Sequence, residues 1–269
     1  MTFFEPQFVA TLFILAGSAC LQATVGFAAG LMGIPLLLWA GNSLPEAQVL
    51  IITAMLPQNA LLVWKLRHHI RPREVAIPAA VRLSFMPLGL LALAWLVGHY
   101  AVAIKPLVGA IVLGAVFSQM VNARPWATAQ RWYWVLGTFG LSGVLQGLSG
   151  MSAPPMLLWV HGQRFSANRA RSFLFAMYLT NFLPQLALML WAFGPTLLTS
   201  VLLALTALPL IVLGSLLGLR LGRHIHHDCL HPATTAAIHR RPAGGGAGRL
   251  LAVPLRRRAV GAPAAGADD

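Results

Sequence analysis

Acidic residues are nearly missing from this sequence: Glu5, Glu46, Glu74, Asp228, Asp268 and Asp269 are the six among 269. Between Phe8 and Leu219 none lies well inside an apolar stretch, because Glu46 and Glu74 stand at segment edges. Proton relays through membranes run on buried carboxylates, and cation cages are built from carboxylate oxygens. Neither has its residues here, which leaves an anionic or neutral ligand. Cysteine is as scarce. Cys20 and Cys229 make no disulfide framework and no spaced metal motif, so no cofactor and no metal are expected. No phosphate-binding glycine loop, no HExxH and no spaced Ser/His/Asp set appears, and no enzyme is expected. Charge of either sign is low, at 9% of residues against roughly 25% in soluble domains. That excludes an ordinary soluble globular chain.

What is present is apolar: 58% of residues are hydrophobic and the mean hydropathy is +0.73. The net charge of +13 would suit nucleic acid, but the positive residues fall between apolar stretches, as topology determinants do. The expected partner is the lipid bilayer, with no nucleic acid. Apolar segments run Phe8 to Thr24, Phe27 to Ala40, Ala47 to Trp64, Val75 to Val97 and Ala101 to Val121, then Trp132 to Gln146, Gly150 to Val160, Phe173 to Phe193 and Leu197 to Leu219. The first has Glu5 and no Lys or Arg before it, a poor match to a cleaved signal peptide, so it is read as a permanent span.

The segments after Gly30 and Gly150 are shorter than the roughly 17 residues of a minimal straight span. Charge placement bears on whether they cross. If they do, Lys65, Arg67, Arg71, Arg73, Arg124, Arg131, Arg164, Arg169, Arg171, Arg220 and Arg223 share one side, and Lys105 alone lies on the other. If they do not, these residues divide evenly. The positive-inside rule prefers the first arrangement. It predicts an outside N-terminus, a basic cytoplasmic face and about nine crossings.

The chain writes one stretch twice. Gly26-Phe-Ala-Ala-Gly-Leu-Met-Gly-Ile-Pro-Leu-Leu-Leu-Trp39 is echoed by Gln146-Gly-Leu-Ser-Gly-Met-Ser-Ala-Pro-Pro-Met-Leu-Leu-Trp159, with Gly30 on Gly150 and Pro35 on Pro155. Further on, Leu56-Pro-Gln-Asn-Ala-Leu-Leu-Val-Trp64 matches Leu183-Pro-Gln-Leu-Ala-Leu-Met-Leu-Trp191. Paired interruptions in two halves are a sequence pointer to a transporter's binding site. An odd number of crossings per repeat would make the halves inverted. The expected organisation is a first repeat at 1–122, a second at 123–223, and a basic Ala/Pro/Gly/Arg-rich tail at 224–269, with too few large apolar residues for a core.

Pro35 and Pro155 are expected where a helix restarts, so that free N–H groups and the positive helix end would face an anion. Gly30, Gly33 and Gly150 would let backbone approach it; close helix packing through small residues explains them equally well. Arg82 is the one positive charge well inside a span, some eight residues in, or on the order of 12 Å. It is a candidate ligand-binding residue, with snorkelling to the interface as the alternative. Gln58, Asn59, Asn181 and Gln185 cluster at the Leu-Pro-Gln repeats. They could bind oxyanion oxygens or only join helices. Gln22, Gln119, Gln146, Ser149 and Ser152 are of the same type. Trp39, Trp64, Trp95, Trp132, Trp159 and Trp191, at segment ends, read as interface anchors.

From Phe8 to Gly222 the sequence resembles the TauE/SafE family of sulfite-exporter-like membrane proteins. The resemblance rests on Gly30-Leu-Met-Gly-Ile-Pro-Leu-Leu, on Gly143-Val-Leu-Gln-Gly-Leu-Ser-Gly-Met-Ser-Ala-Pro-Pro155, and on the closing Gly214-Ser-Leu-Leu-Gly-Leu-Arg-Leu-Gly222. It implies a bacterial inner-membrane carrier for small sulfur-containing or organic anions. Leu31-Met32 and Ser152-Ala153 depart from a denser glycine cluster in the family, and the tail from His224 stands where a further span is usual.

The expectation is therefore an all-α, polytopic membrane protein of two inverted repeats with short, broken helices after Gly30 and Gly150. It would move a small anion across the inner membrane by alternating access. An anion channel or a non-transport assembly factor is the alternative, and homo-oligomerisation is left open.

Overall fold

The computed structural model describes residues 6–121, 132–163 and 165–221; the tail predicted at 224–269 lies outside the described residues. Those residues form helices α1 (Pro6–Val25), α2 (Ala29–Trp39), α3 (Leu44–Leu66), α4 (Pro72–His99), α5 (Ile104–Val121), α6 (Trp132–Ser149), α7 (Ala153–Gly162), α8 (Ala167–Phe193), α9 (Leu198–Thr206) and α10 (Leu208–Leu221), with no strand among them. The chain is a polytopic all-α membrane protein. Four helices are long and apolar enough to cross a bilayer. The pair Pro195–Thr206 and Leu208–Leu221, bent by 55°, makes a fifth span if counted as one.

Local sequence sets the ends. Ser43 and Glu46 form a capping box at α3, the Ser43 N–H donating to Glu46 Oε2 at 2.8 Å. Ser166 caps α8, its Oγ accepting from the Arg169 N–H at 3.4 Å. Pro72 opens α4 at a position whose N–H has no intrahelical partner. Gly194 closes α8 at φ 84° ahead of Pro195.

The two interruptions share one construction. α1 stops at Gly26 (φ 101°) and α6 at Gly150 (φ 74°), both left-handed, and helix resumes at Ala29 and Ala153. This corrects one expectation. Pro155 does fall in the first turn of α7, but Pro35 lies inside α2, seven residues along. The left-handed glycine, not the proline, sets where the chain turns. Aligning the motifs puts Gly30 on Gly150, whereas the matching turn is at Gly26; the two registers differ by four residues, about one helical turn.

α2 and α7 start side by side and end far apart. A Cβ on Gly30 would meet the Gly150 carbonyl oxygen at 3.1 Å. The far end of α2 returns to the start of α3, where Asn42 Nδ2 donates to the Leu37 carbonyl (3.1 Å) and to Thr11 Oγ1 (3.2 Å). The far end of α7 shares a groove with Arg71, Glu74 and Arg169, beyond the other end of α3. With 11 and 10 residues, each short helix covers roughly 15 Å, about half the apolar thickness of a bilayer.

Glycines bring the long helices together. Side chains at Gly143 and Gly147 of α6 would collide with the Arg82 and Met86 carbonyls of α4, and one at Gly89 with the Val144 carbonyl. Side chains at Gly214 and Gly218 of α10 would likewise collide with the Ala16 and Cys20 carbonyls of α1. Thus α1 packs on α10 and α6 on α4, each by the backbone-close contact that membrane helices use.

One apolar cluster is built on Leu15, Leu37, Leu50 and Leu93, and a second on Phe139, Met156, Trp159 and Phe173. Trp159 is the second correction: it is 9% exposed and stacks among Phe139, Phe165 and Phe173 rather than at an interface. Trp39, Trp64, Trp95, Trp132 and Trp191 are exposed, Trp39 to 78%.

Candidate functional site

Arg82 stands ten residues into α4, about 15 Å from its start, and is 1% exposed. It does not snorkel. Its Nη1 donates to the Met177 carbonyl oxygen at 3.1 Å, and its Nη2 to Gln146 Oε1 at 3.0 Å and Ser152 Oγ at 2.8 Å. One side chain thereby ties α4 to α6, to the α6–α7 turn and to α8. It lies there because Gly143 lets α6 press against the Arg82 backbone.

No carboxylate of the described residues approaches this charge. Among the described residues the acids are Glu46, held in its capping box, and Glu74, paired with Arg71 and Arg169. Burying a cation costs several kcal/mol even after relaxation, and here only neutral dipoles offset it. The cavity beside it is therefore electropositive.

That cavity lies where the two interruptions meet. Phe27, Gly30 and Leu31 form one wall and Gly150 to Ala153 another, with Met55, Asn59 and Arg82 among the rest. It offers about 60 Å³ to the centre of a water-sized sphere. A single water needs about 10–15 Å³ on that measure, so the space suits a few waters or one small oxyanion. Neither Ala28 nor Ser152 caps its helix with a side-chain hydrogen bond. The leading N–H groups of α2, and in α7 that of Ala153 alone because Pro154 and Pro155 carry none, thus lie at the positive helix ends beside the cavity with no side-chain acceptor of their own.

Amides surround the arginine. Gln146 Nε2 donates to Gln185 Oε1 at 2.7 Å, Asn181 Nδ2 donates to the same oxygen, and Gln185 Nε2 reaches Gln48 Oε1 at 3.3 Å. On the other wall Gln22 Nε2 donates to Asn59 Oδ1 at 2.7 Å. Three buried atoms of lining residues have no protein partner among the described residues: Arg82 Nε, Tyr178 Oη and Asn181 Oδ1. Buried polar groups are nearly always satisfied, so these are atoms from which a ligand can be held.

Of the residues singled out in the sequence, Gly30, Gly150, Ser152, Asn59, Arg82 and Asn181 line this cavity, and Gln185 stands directly behind it. The others do not. Gly33 faces Ser18 and Ile51, Pro35 lies inside α2 and Pro155 in the first turn of α7, neither in the cavity wall, and the Gln58 amide is bonded to the Ser215 hydroxyl at 2.8 Å. Gln22 and Gln146 line the cavity; Ser149 bonds back to the Leu145 carbonyl of its own helix, and the Gln119 side chain lies outside the described residues. Sequence reasoning missed Tyr178 and Gln48. Tyr178, Asn181 and Gln185 recur at helical spacing along α8, a polar stripe that was visible in the sequence. Gln48 was hidden by its place near a segment edge.

A polytopic helical membrane protein with an uncompensated buried cation where two interrupted helices meet is the class this fold and site define. Within that class, residues 9–238 match the family described as sulfite exporter TauE/SafE, and the chain belongs to that family of membrane transporters. It is 27% identical over 248 residues to a Cupriavidus necator protein named a probable sulfite/organosulfonate exporter, TauE, across 90% of this chain and 92% of that one. No solved structure matches the chain significantly.

Proposed function

We propose that the chain is a secondary transporter that carries a small anion, sulfur-containing or organic, across the bacterial inner membrane by alternating access between two inverted repeats. The observation that carries this reading is Arg82: a buried guanidinium with no acidic partner among the described residues, its Nε unengaged, beside a cavity of small-oxyanion size. In a chain with this acid count, the negative charge that completes such a site comes from a ligand. The name of the Cupriavidus necator relative supports sulfite or a small sulfonate as that ligand. Inversion is supported by α2 and α7, which begin together and end at opposite ends of α3, and by the reciprocal α1–α10 and α4–α6 pairings. Transport by this reading needs no chemistry on the substrate, so no catalytic residue is proposed.

The binding residues proposed are Arg82, Gln146, Ser152 and Tyr178, with Asn59, Asn181 and the backbone at Gly30 and Gly150. The test is flux in vesicles reconstituted with the purified chain, using sulfite, thiosulfate, small sulfonates, carboxylates and monovalent cations. Saturable anion flux with accelerated counterflow is expected. Cation flux without anion flux would sink the reading, and anion flux without counterflow would favour a channel. The absence of any flux would favour a non-transport role such as assembly.

A further inference from the structure

A second cavity lies at the end of the bundle where α4 and α8 begin. It measures about 420 Å³ on the same scale as the first. Arg71, Arg73 and Arg169 line it, against a single carboxylate, Glu74. Glu74 pairs with Arg169 and, at 3.5 Å, with Arg71, and the Arg169 guanidinium lies over the Phe165 ring at 4.5 Å. Arg73 has no ion pair among the described residues. The lining therefore carries excess positive charge, with one guanidinium that pairs with no acid among the described residues.

The groove changes character with depth. One turn further along α4, about 6 Å deeper into the span, its wall becomes Ile77, 65% exposed, and Pro78, facing Val135 of α6. A free anion would use the guanidiniums alone. An amphiphile with a charged head and an apolar chain uses both parts. Nor is the groove the mouth of the Arg82 cavity. Phe139, Trp159 and Phe173 stand on that side, with ring centroids 5.1 to 6.1 Å apart and Phe139 fully buried.

Basic pockets between membrane helices on the cytoplasmic side bind anionic headgroups, and this end carries the basic loops that the positive-inside rule places there. We infer that the groove binds an anionic phospholipid of the cytoplasmic leaflet. Its phosphodiester sits among Arg71, Arg73 and Arg169, and its acyl chain lies along Ile77 and Val135. The bound lipid ties the start of α4 to the start of α8, the two helices that carry Arg82 and Tyr178. This site is independent of what the inner cavity transports.

The test is native mass spectrometry of the full chain in detergent, titrated with phosphatidylglycerol, phosphatidylcholine or soluble glycerol 3-phosphate. Phosphatidylglycerol is expected to bind best. R73Q should weaken it roughly fivefold and R71Q/R73Q by on the order of 25-fold, as expected for losing one and then two headgroup-binding arginines. K105Q, in a different groove beside Glu46, should leave binding unchanged. R73Q removes no internal ion pair, and its melting temperature without added lipid verifies that it folds. Equal binding of both lipids, or full retention of phosphatidylglycerol by R73Q and the double variant, overturns the proposal. A loss in K105Q as large as in R73Q also overturns it. Glycerol 3-phosphate binding as tightly as the lipid would make this a free-anion site and overturn it as well.

Discussion

Arg82 does two jobs that substitution can separate. Two of its nitrogens join helices, and the third is left for the cavity. Lysine keeps the charge but cannot reach three acceptors with a planar fork. R82K is expected to fold with a lowered melting temperature and to lose at least tenfold in anion flux; unchanged flux would remove Arg82 from the site. Tyr178 gives the cleaner experiment. Its hydroxyl has no protein partner among the described residues, so Y178F should leave the unfolding free energy within the scatter of neutral substitutions, about 0.5 kcal/mol. The apparent KM for the anion should rise several-fold. A stability loss without a change in KM would show the hydroxyl to be structural.

At the scale of elements, the two broken helices depend on glycine more than on proline. Gly150 combines φ 74° with neighbours that leave no room, since a Cβ would lie 2.7 Å from Ile34 Cδ1 and 2.9 Å from Gln48 Cγ. G150A is expected to destabilise the fold by about 2 kcal/mol or more, through left-handed strain together with overpacking, and to reduce flux. Gly194 is the comparison, because its φ is 84° but nothing lies within 4 Å of its added Cβ. G194A should cost the strain alone, which at φ 84° and ψ 176°, a region open essentially to glycine, is on the order of 1–3 kcal/mol. Thermal unfolding of the two variants in detergent checks both losses; a loss of less than about 1 kcal/mol in G150A would mean that crowding at Gly150 is not felt. Both interruptions were legible as Gly/Pro-rich breaks in the sequence. Their register was not, because Pro35 and Pro155 align in sequence while the turns are made at Gly26 and Gly150. Proline is tolerated inside a membrane helix, so its position does not mark a helix start unambiguously.

For the whole molecule, topology is the property most exposed to test. Reporter fusions after Arg73 and Arg171 should both report cytoplasm, and one at Lys105 the opposite side. Fusions after Arg73 and Arg171 on different sides would refute the scheme of about nine crossings, and with it the inverted arrangement of the halves. The scheme rests on charge counts that need no coordinates. The described helices add that α2 and α7 each cover about half a bilayer, so neither crosses by itself as a straight helix.

Composition and the spacing of apolar runs were enough to determine a helical membrane protein, its two interruptions and Arg82 as the residue to watch. Those properties follow from the free energy of moving side chains into lipid, which is nearly additive along the chain. Which polar residues share the cavity was decided only by tertiary structure. Gln58 and Gln185 occupy the same place in a repeated motif, yet one bonds Ser215 near α1 while the other stands behind the site. The pairings of α6 with α4 and α1 with α10 are made by contacts between residues far apart in sequence, and helical periodicity does not encode which neighbour a face will meet.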